Sequence, residues 1–398
     1  MNATPVSSSR RIHIDWLRVL LILAVFVFHS MRFFDLEDWH VKSASTYFGV
    51  QMVIVFISRW LMPTIFLISG AATFFALSKR GVGRFLRDRS LRLLVPLLVG
   101  LFTHVPVQGY LEAITHRQYS GSFWQYYAEQ FNGLAGLGGN FNWGGNHLWY
   151  LDLLFVITLV CLPLLIWLRH GAGKRVLAWL GERLSRPGMV YLLVLPTLVV
   201  LLVLDPRLSW VLTDDTWGGW NVPCHMLFFL TGFVLASSPG MQAGIRRVRW
   251  ISLAMGLVGF AIAGGLLVAL GGEITFGTPE YALVQTFNSL CSWSLLLTIL
   301  GFGLERLNVH TPLLDYANDA VMPFYVFHQS ILVVVGFFVL GWAIPDFVKW
   351  LIIVPSSFVI IMALYELLVR RINLLRILFG MKPVTKEKAV QKPVVPVS

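Results

Sequence analysis

Acidic and basic side chains are scarce in this chain: together they make up 13% of 398 residues, about half the share in a soluble domain. With 57% hydrophobic residues and a mean hydropathy of +0.72, too little polar material exists to build a water-facing surface around one core. The same figures exclude intrinsic disorder, a collagen repeat and a coiled coil. Cysteine is rarer still. Cys161, Cys224 and Cys291 are odd in number, and each sits inside an apolar run. That excludes a disulfide framework and a zinc site and leaves three small buried residues. A Walker loop, a GxSxG elbow, an HExxH helix and a dinucleotide glycine pattern are missing from any convincing context. Hydride transfer and metallohydrolase chemistry therefore lack support, and no metal is expected.

What is present is a series of apolar runs of roughly 20 residues, the length of a bilayer-crossing helix. They fall near 14–34, 50–77, 91–111, 148–168, 188–204, 221–238, 250–271, 281–303, 319–342 and 347–369. The pattern predicts an all-α, polytopic membrane protein of about ten transmembrane helices. A cleaved signal peptide is rejected for the first run: no small-residue cleavage site follows it, and Arg18 and His29 interrupt it.

Lys and Arg exceed Asp and Glu by 11, an excess that would suit nucleic acid if it were clustered on one soluble face. It is instead distributed by loop. Arg10 and Arg11 precede the first run. Lys79, Arg80, Arg84, Arg87, Arg89 and Arg92 lie between the second and third, and Arg169, Lys174, Arg175, Arg183 and Arg186 between the fourth and fifth. Arg246, Arg247 and Arg249 lie between the sixth and seventh, and Arg370, Arg371, Arg376, Lys382, Lys386, Lys388 and Lys392 follow the last. The alternate loops carry Asp35, Glu37 and Asp38, then Asp205, Asp214 and Asp215, then Glu273 and Glu280. The positive-inside rule places both termini in the cytoplasm, and no nucleic-acid partner is expected. Segment 305–318 is only weakly basic and fits least well. Three regions are expected: a cytoplasmic N-terminal segment 1–13, a transmembrane domain 14–371, and a basic cytoplasmic tail 372–398 that is disordered at its Lys/Pro/Val-rich end. The long outer loop 112–146 is rich in Trp, Tyr, Phe, Gly and Asn. That composition suits sugars, which take flat apolar faces and amide hydrogen bonds, and it equally suits an interfacial aromatic belt.

Ionisable residues inside the apolar runs are costly and so are candidates for function. Asp15, Arg18 and His29 fall on one face of the first helix, with His29 about 16 Å outward of Arg18 by helical rise. Asp15 and Arg18 read either as a structural ion pair or as part of a site. His29 reads either as a satisfied buried hydrogen bonder or as an acid/base group, for which an imidazole is suited near neutrality. Arg59, ahead of Pro63, either neutralises an acidic side chain or holds a substrate carboxylate. Arg89 and Arg92, three apart at the inner edge of the third run, either set topology or clamp a phosphate. His147 and Trp149 open the fourth run. Tyr325 and His328 share a face of the ninth, beside Pro323, which frees backbone groups toward a cavity.

Four elements occur in one order: Arg11…Asp15-x-x-Arg18…His29, Arg89-x-x-Arg92-x-x-x-Pro96, His147-Leu148-Trp149-Tyr150-Leu151, and Tyr325-x-x-His328. Together they resemble the membrane acyltransferase 3 family over residues 11–385. Trp39-His40-Val41, Tyr365-Glu366-Leu367 and Gly380-Met381-Lys382-Pro383-Val384 narrow the resemblance to its glucan biosynthesis branch, which succinylates osmoregulated periplasmic glucans. Val19 stands where many members have glycine, and the loop 112–146 matches no pattern of the family. The resemblance implies a multi-pass inner-membrane O-acyltransferase. Such an enzyme takes an acyl group (succinyl or acetyl) from cytoplasmic acyl-CoA and passes it to a hydroxyl of a periplasmic or cell-surface glycan. His29, Tyr325 and His328 are then expected to carry the chemistry. Asp15, Arg18, Arg59, Arg89, Arg92, His147 and Trp149 are expected to bind substrate, with Arg89 and Arg92 facing the CoA phosphates and Arg59 a succinyl carboxylate. The alternative is a transporter or flippase for a glycan or lipid-linked sugar. It predicts paired broken helices, and no such pairing is visible in the sequence.

Overall fold

The computed structural model describes residues 11–133, 140–141, 143, 146–213, 217–272 and 274–384. Expectations that fall on residues 1–10, Asn142, Asp214, Asp215, Glu273 and the tail from 385, with Lys386, Lys388 and Lys392, lie outside the described residues. Among the described residues every regular element is a helix, and no strand occurs. In order they are α1 (Ile12–Met31), α2 (Phe48–Ser58), α3 (Leu61–Lys79), α4 (Val82–Phe102), α5 (Val105–Arg117), α6 (Phe123–Glu129), α7 (Trp149–Leu168) and α8 (Gly171–Leu184). Then follow α9 (Val194–Val203), α10 (Val222–Ser237), α11 (Pro239–Ala269), α12 (Pro279–Arg306), α13 (Pro312–Val339), α14 (Asp346–Leu364) and α15 (Asn373–Leu378).

All ten expected spans contain helix, but the spans are unequal. Among the described residues, seven segments are long and apolar enough to cross a bilayer, and α4 with α5, bent by 40°, make an eighth if the pair is one span. The other two expected spans, Met189–Val203 and Val222–Ser237, are shorter apolar helices. Their limits are local. Pro206 bars the α conformation at Asp205 just beyond α9. The Asn221 side chain caps α10 at Cys224 N (3.0 Å), and Ser238 caps α11 at once behind it. Two spans are also broken where the sequence suggested none. Pro63 lacks the N–H that would bond back to Arg59, and Pro106 the one that would bond to Phe102. The helices part at Arg59–Trp60 and at Thr103–His104.

The chain forms two compact units. The first comprises Met1–Phe28, Phe48–Phe85 and Val156–Asn318. Here helices approach through small residues, as membrane helices do. A Cβ on Gly70 would lie 1.8 Å from the Phe229 carbonyl oxygen, and one on Gly232 1.8 Å from that of Leu67, so α3 and α10 meet backbone to backbone. Gly256 and Gly259 of α11 likewise admit Leu295 and Cys291 of α12, which fixes that pair as antiparallel. Cys161, Cys224 and Cys291 are all buried and free, as expected.

The second unit comprises His29–Tyr47, Leu86–Phe155 and Asp319–Ser398. The loop after α1 is drawn in around a fully buried carboxylate. Asp35 accepts from Lys42 (2.5 Å) and pairs with Arg32. Burial pushes its carboxyl up, while Lys42 and Arg32 pull it back down. Gly336 of α13 leaves room for the Phe33 ring. The C-terminal segment 372–384 is folded against α4 and α13. Gly380 takes φ 71°, and a Cβ there would stand 3.0 Å from both the Arg92 carbonyl oxygen and Pro96 Cγ, and 3.2 Å from Met322. Pro96 has no N–H to offer the Arg92 carbonyl, and the tail covers that exposed stretch of α4. Buried Arg376 ties the tail to the Lys382 carbonyl (2.8 Å) and to Asp319 (3.5 Å), and Asn373 and Val384 exchange two hydrogen bonds.

Candidate functional site

Four helix or turn segments of the second unit bring a row of imidazoles together. His29 ends α1, His104 stands at the α4–α5 break, His147 lies in a 3-10 turn before α7, and His328 is on α13. Ring centroids are 5.1 Å apart for His29 and His328, 5.0 Å for His328 and His147, and 6.2 Å for His147 and His104. His328 is fully buried and His147 nearly so. Asn146 adopts φ 51°, a left-handed conformation that Asn tolerates better than most residues, and so turns the chain into His147.

The partners decide where the ring protons sit. His328 Nδ1 is 2.5 Å from the Tyr325 carbonyl oxygen, which can only accept. The proton of a neutral ring is therefore on Nδ1, and Nε2 carries the lone pair. His29 Nδ1 lies 3.0 Å from that Nε2 and donates to it, which places the basic lone pair of His29 on its own Nε2. The Trp39 ring stacks parallel to His29 at 6.3 Å and 11°. In the same way His147 Nε2 donates to the Val326 carbonyl (3.0 Å), so its Nδ1 accepts from Gln108 Nε2 (3.2 Å). The Tyr325 hydroxyl donates to the His147 carbonyl (2.5 Å), which holds the turn that carries His147.

A second layer of polar groups extends from this row. Gln108 donates to Ser330 Oγ (2.5 Å), which also meets His104 Nδ1 (2.8 Å). Gln329 Nε2 donates to Gln108 Oε1 and to His40 Nε2, both at 3.0 Å. His40, its Nε2 thus accepting, gives its Nδ1 proton to Glu112 (2.5 Å). Two adjacent pairs of residues join the layers. Trp39 and His328 face the His29 ring, while their chain neighbours His40 and Gln329 meet each other. Backbone carbonyls fix the tautomers of His147 and His328, and His328 in turn fixes that of His29.

Of the ten residues singled out in the sequence, His29, His147, Tyr325 and His328 converge here. Arg89 and Arg92 lie in the same unit on one face of α4, the first half-buried and the second exposed, and Trp149 opens α7 half-buried. Asp15, Arg18 and Arg59 belong to the first unit. Arg18 bonds Asp15 (3.4 Å) and the Asn318 side-chain oxygen (3.1 Å), and Arg59 occupies the break between α2 and α3. His104, Gln108, Gln329 and Glu112 were not singled out, nor was a role assigned to His40. A histidine two residues before Pro106 and a glutamine directly after His328 were the available signals. No group of three or more metal-ligating side chains is found among the described residues.

A family model described as an acyltransferase domain matches residues 11–366. Relatives named glucans biosynthesis protein C match nearly end to end. The one from Salmonella paratyphi A is 22% identical over 405 residues, 96% of this chain and 98% of the relative. Those from Salmonella paratyphi B and Salmonella enteritidis are each 23% identical over 408 residues with the same coverage. No solved structure matches.

Proposed function

We propose, from the premise that this chain belongs to the acyltransferase 3 family of acyltransferase domains, that it is a multi-pass O-acyltransferase of the inner membrane. It moves a succinyl or acetyl group from cytoplasmic acyl-CoA to a hydroxyl of a periplasmic or cell-surface glycan. The observation that carries this reading is the His29–His328 pair, whose hydrogen bond leaves the His29 lone pair on Nε2. The names of the relatives support a glucan as acceptor.

In direct transfer, His29 Nε2 takes the proton of the sugar hydroxyl as its oxygen attacks the thioester carbonyl. The C–S bond breaks, and the CoA sulfur leaves with the proton that His29 returns. The His328 lone pair holds the His29 Nδ1–H and stabilises the imidazolium formed in between. In the alternative, His29 Nε2 attacks the thioester itself, the C–S bond breaks and CoA leaves as the thiolate; the sugar oxygen then takes the acyl group from the ring and its proton passes to the thiolate. Arg89 and Arg92, both termini and the basic loops lie on the cytoplasmic side, where the two guanidinium groups receive CoA phosphates. The buried setting keeps water from the thioester.

The broken helices at Arg59–Trp60 and Thr103–His104 favour one other reading, a transporter of glycans or lipid-linked sugars. One experiment separates them. Purified protein in liposomes is given acyl-labelled acyl-CoA on one side and a gluco-oligosaccharide on the other. Label on the sugar is the expected result. Sugar movement without label would replace acyl transfer with transport.

A further inference from the structure

The second unit also holds a cleft of about 310 Å³ formed by α5, α6 and the segment around Asn140. We infer that this cleft binds an uncharged stretch of the acceptor sugar chain, and that Glu112 and Tyr126 hold it beside the imidazole row. The inference rests on the acyl-transfer reading for its link to chemistry, and on the cleft alone for its ligand class.

Three observations lead there. The lining pairs aromatic faces with planar hydrogen-bonding groups: Tyr119 and Tyr126 stand with Glu112, Arg117, Glu129 and Asn140. Sugars are recognised by this mixture, with C–H faces on the rings and hydroxyls on carboxylates and amides. Second, two carboxylates face one guanidinium, so the lining is net negative and disfavours a phosphate or diphosphate. The volume is at the small end of ligand pockets, about 300–1,000 Å³, enough for a short run of sugar rings. Third, the lining is built rather than incidental. The Tyr126 hydroxyl end packs on the α5 backbone at Gly109, where a Cβ would lie 2.2 Å away. Tyr119 donates to Glu129 (3.2 Å), and Asn140 donates to the Glu129 carbonyl (3.0 Å). Ser122 caps α6 through a reciprocal pair with Gln125, which fixes the helix that carries Tyr126 and Glu129.

Glu112 joins the cleft to the chemistry. It lines the cleft and accepts from His40, and His40 accepts from Gln329, the residue directly after His328. Trp39, the residue before His40, stacks on His29. A sugar seated against Glu112 is thus two side-chain hydrogen bonds from α13 at the position after His328.

The test uses full-length protein in nanodiscs with cellotetraose, laminaritetraose, maltotetraose and glucose 1-phosphate as probes. Sugar binding is read by saturation-transfer NMR and acyl transfer by label. Tyr126→Ala is expected to raise the acceptor KM roughly tenfold with the donor KM unchanged, and Tyr126→Phe to restore it. Glu112→Gln, whose amide oxygen still accepts from His40, is expected to weaken tetraose binding. Unchanged acceptor KM in both variants, or glucose 1-phosphate bound as well as the neutral tetraoses, overturns the assignment. If wild-type protein transfers no label, the acyl-transfer reading fails by itself. Tetraose binding lost in Tyr126→Ala would then still support the cleft, and binding undiminished in that variant would overturn it.

Discussion

His225 and His328 are both fully buried histidines in helices, and each gives one ring N–H to a backbone carbonyl. Beyond that they differ. His225, on α10 in the first unit, bonds the Trp217 carbonyl (2.8 Å) and packs against Phe66 at 4.4 Å and Phe228 at 6.4 Å between ring centroids. His328 has imidazoles for neighbours on two sides, at 5.1 and 5.0 Å. Burial and a satisfied proton are therefore what a core histidine looks like too. The sign of chemistry is that the remaining lone pair is aimed at a second titratable ring. The two units contrast in the same way. The first spends its close approaches on glycine and apolar contact, and the second places a connected polar network at the end of α1 and the middle of α13.

That contrast is open to direct attack. His29→Ala is expected to lower the acyl-transfer rate by about 10²–10⁴, the range of a general base, with normal amounts of folded protein. His225→Ala should lower the melting temperature and leave the rate per folded molecule intact. Equal rate losses in the two variants, measured by label transfer, would erase the distinction. His328→Ala removes the acceptor that orients His29, and a loss of about 10–100-fold is expected, the worth of a hydrogen bond to a group that becomes charged. A wild-type rate would detach His328 from the mechanism. Arg89→Ala with Arg92→Ala should raise the KM for acyl-CoA about tenfold or more and leave the acceptor KM alone; an unchanged donor KM would confine both arginines to topology. Gly380→Ala should cost about 1 kcal/mol for its left-handed φ and more for the 3.0 Å contacts on α4. Gly188→Ala, at φ 77° with nothing within 4 Å, should pay only the first cost. Melting temperatures of the two variants in detergent compare them, and equal shifts would mean the tail does not press on α4.

Much of this was readable before any coordinates. The helices lie where the apolar runs lie, because backbone groups in a bilayer must be satisfied within the segment. The breaks at Arg59–Trp60 and Thr103–His104 lie two to four residues ahead of Pro63 and Pro106, yet an apolar run shows no gap at a break. His29, His147, Tyr325 and His328 stood out as polar residues in costly places. His104, Gln108 and Gln329 did not, since a glutamine in a helix has no signature until the group it meets is known. Segment 112–146 is rich in aromatic and amide side chains, but composition could not tell a belt at the membrane surface from a lined cleft. In the tail, Gly380 was visible as a motif, and only its position against Arg92 and Pro96 showed what the motif does.

Hydropathy alone determined that this chain is a multi-pass helical membrane protein, because that quantity depends on local composition and the bilayer reads it locally. Which histidine faces which, which nitrogen keeps its proton, and which carboxylate connects to them depended on segments up to 299 residues apart meeting within hydrogen-bond distance. Periodicity stops at the ends of a single helix, so only the packing of α1, α5, α7 and α13 decided that arrangement.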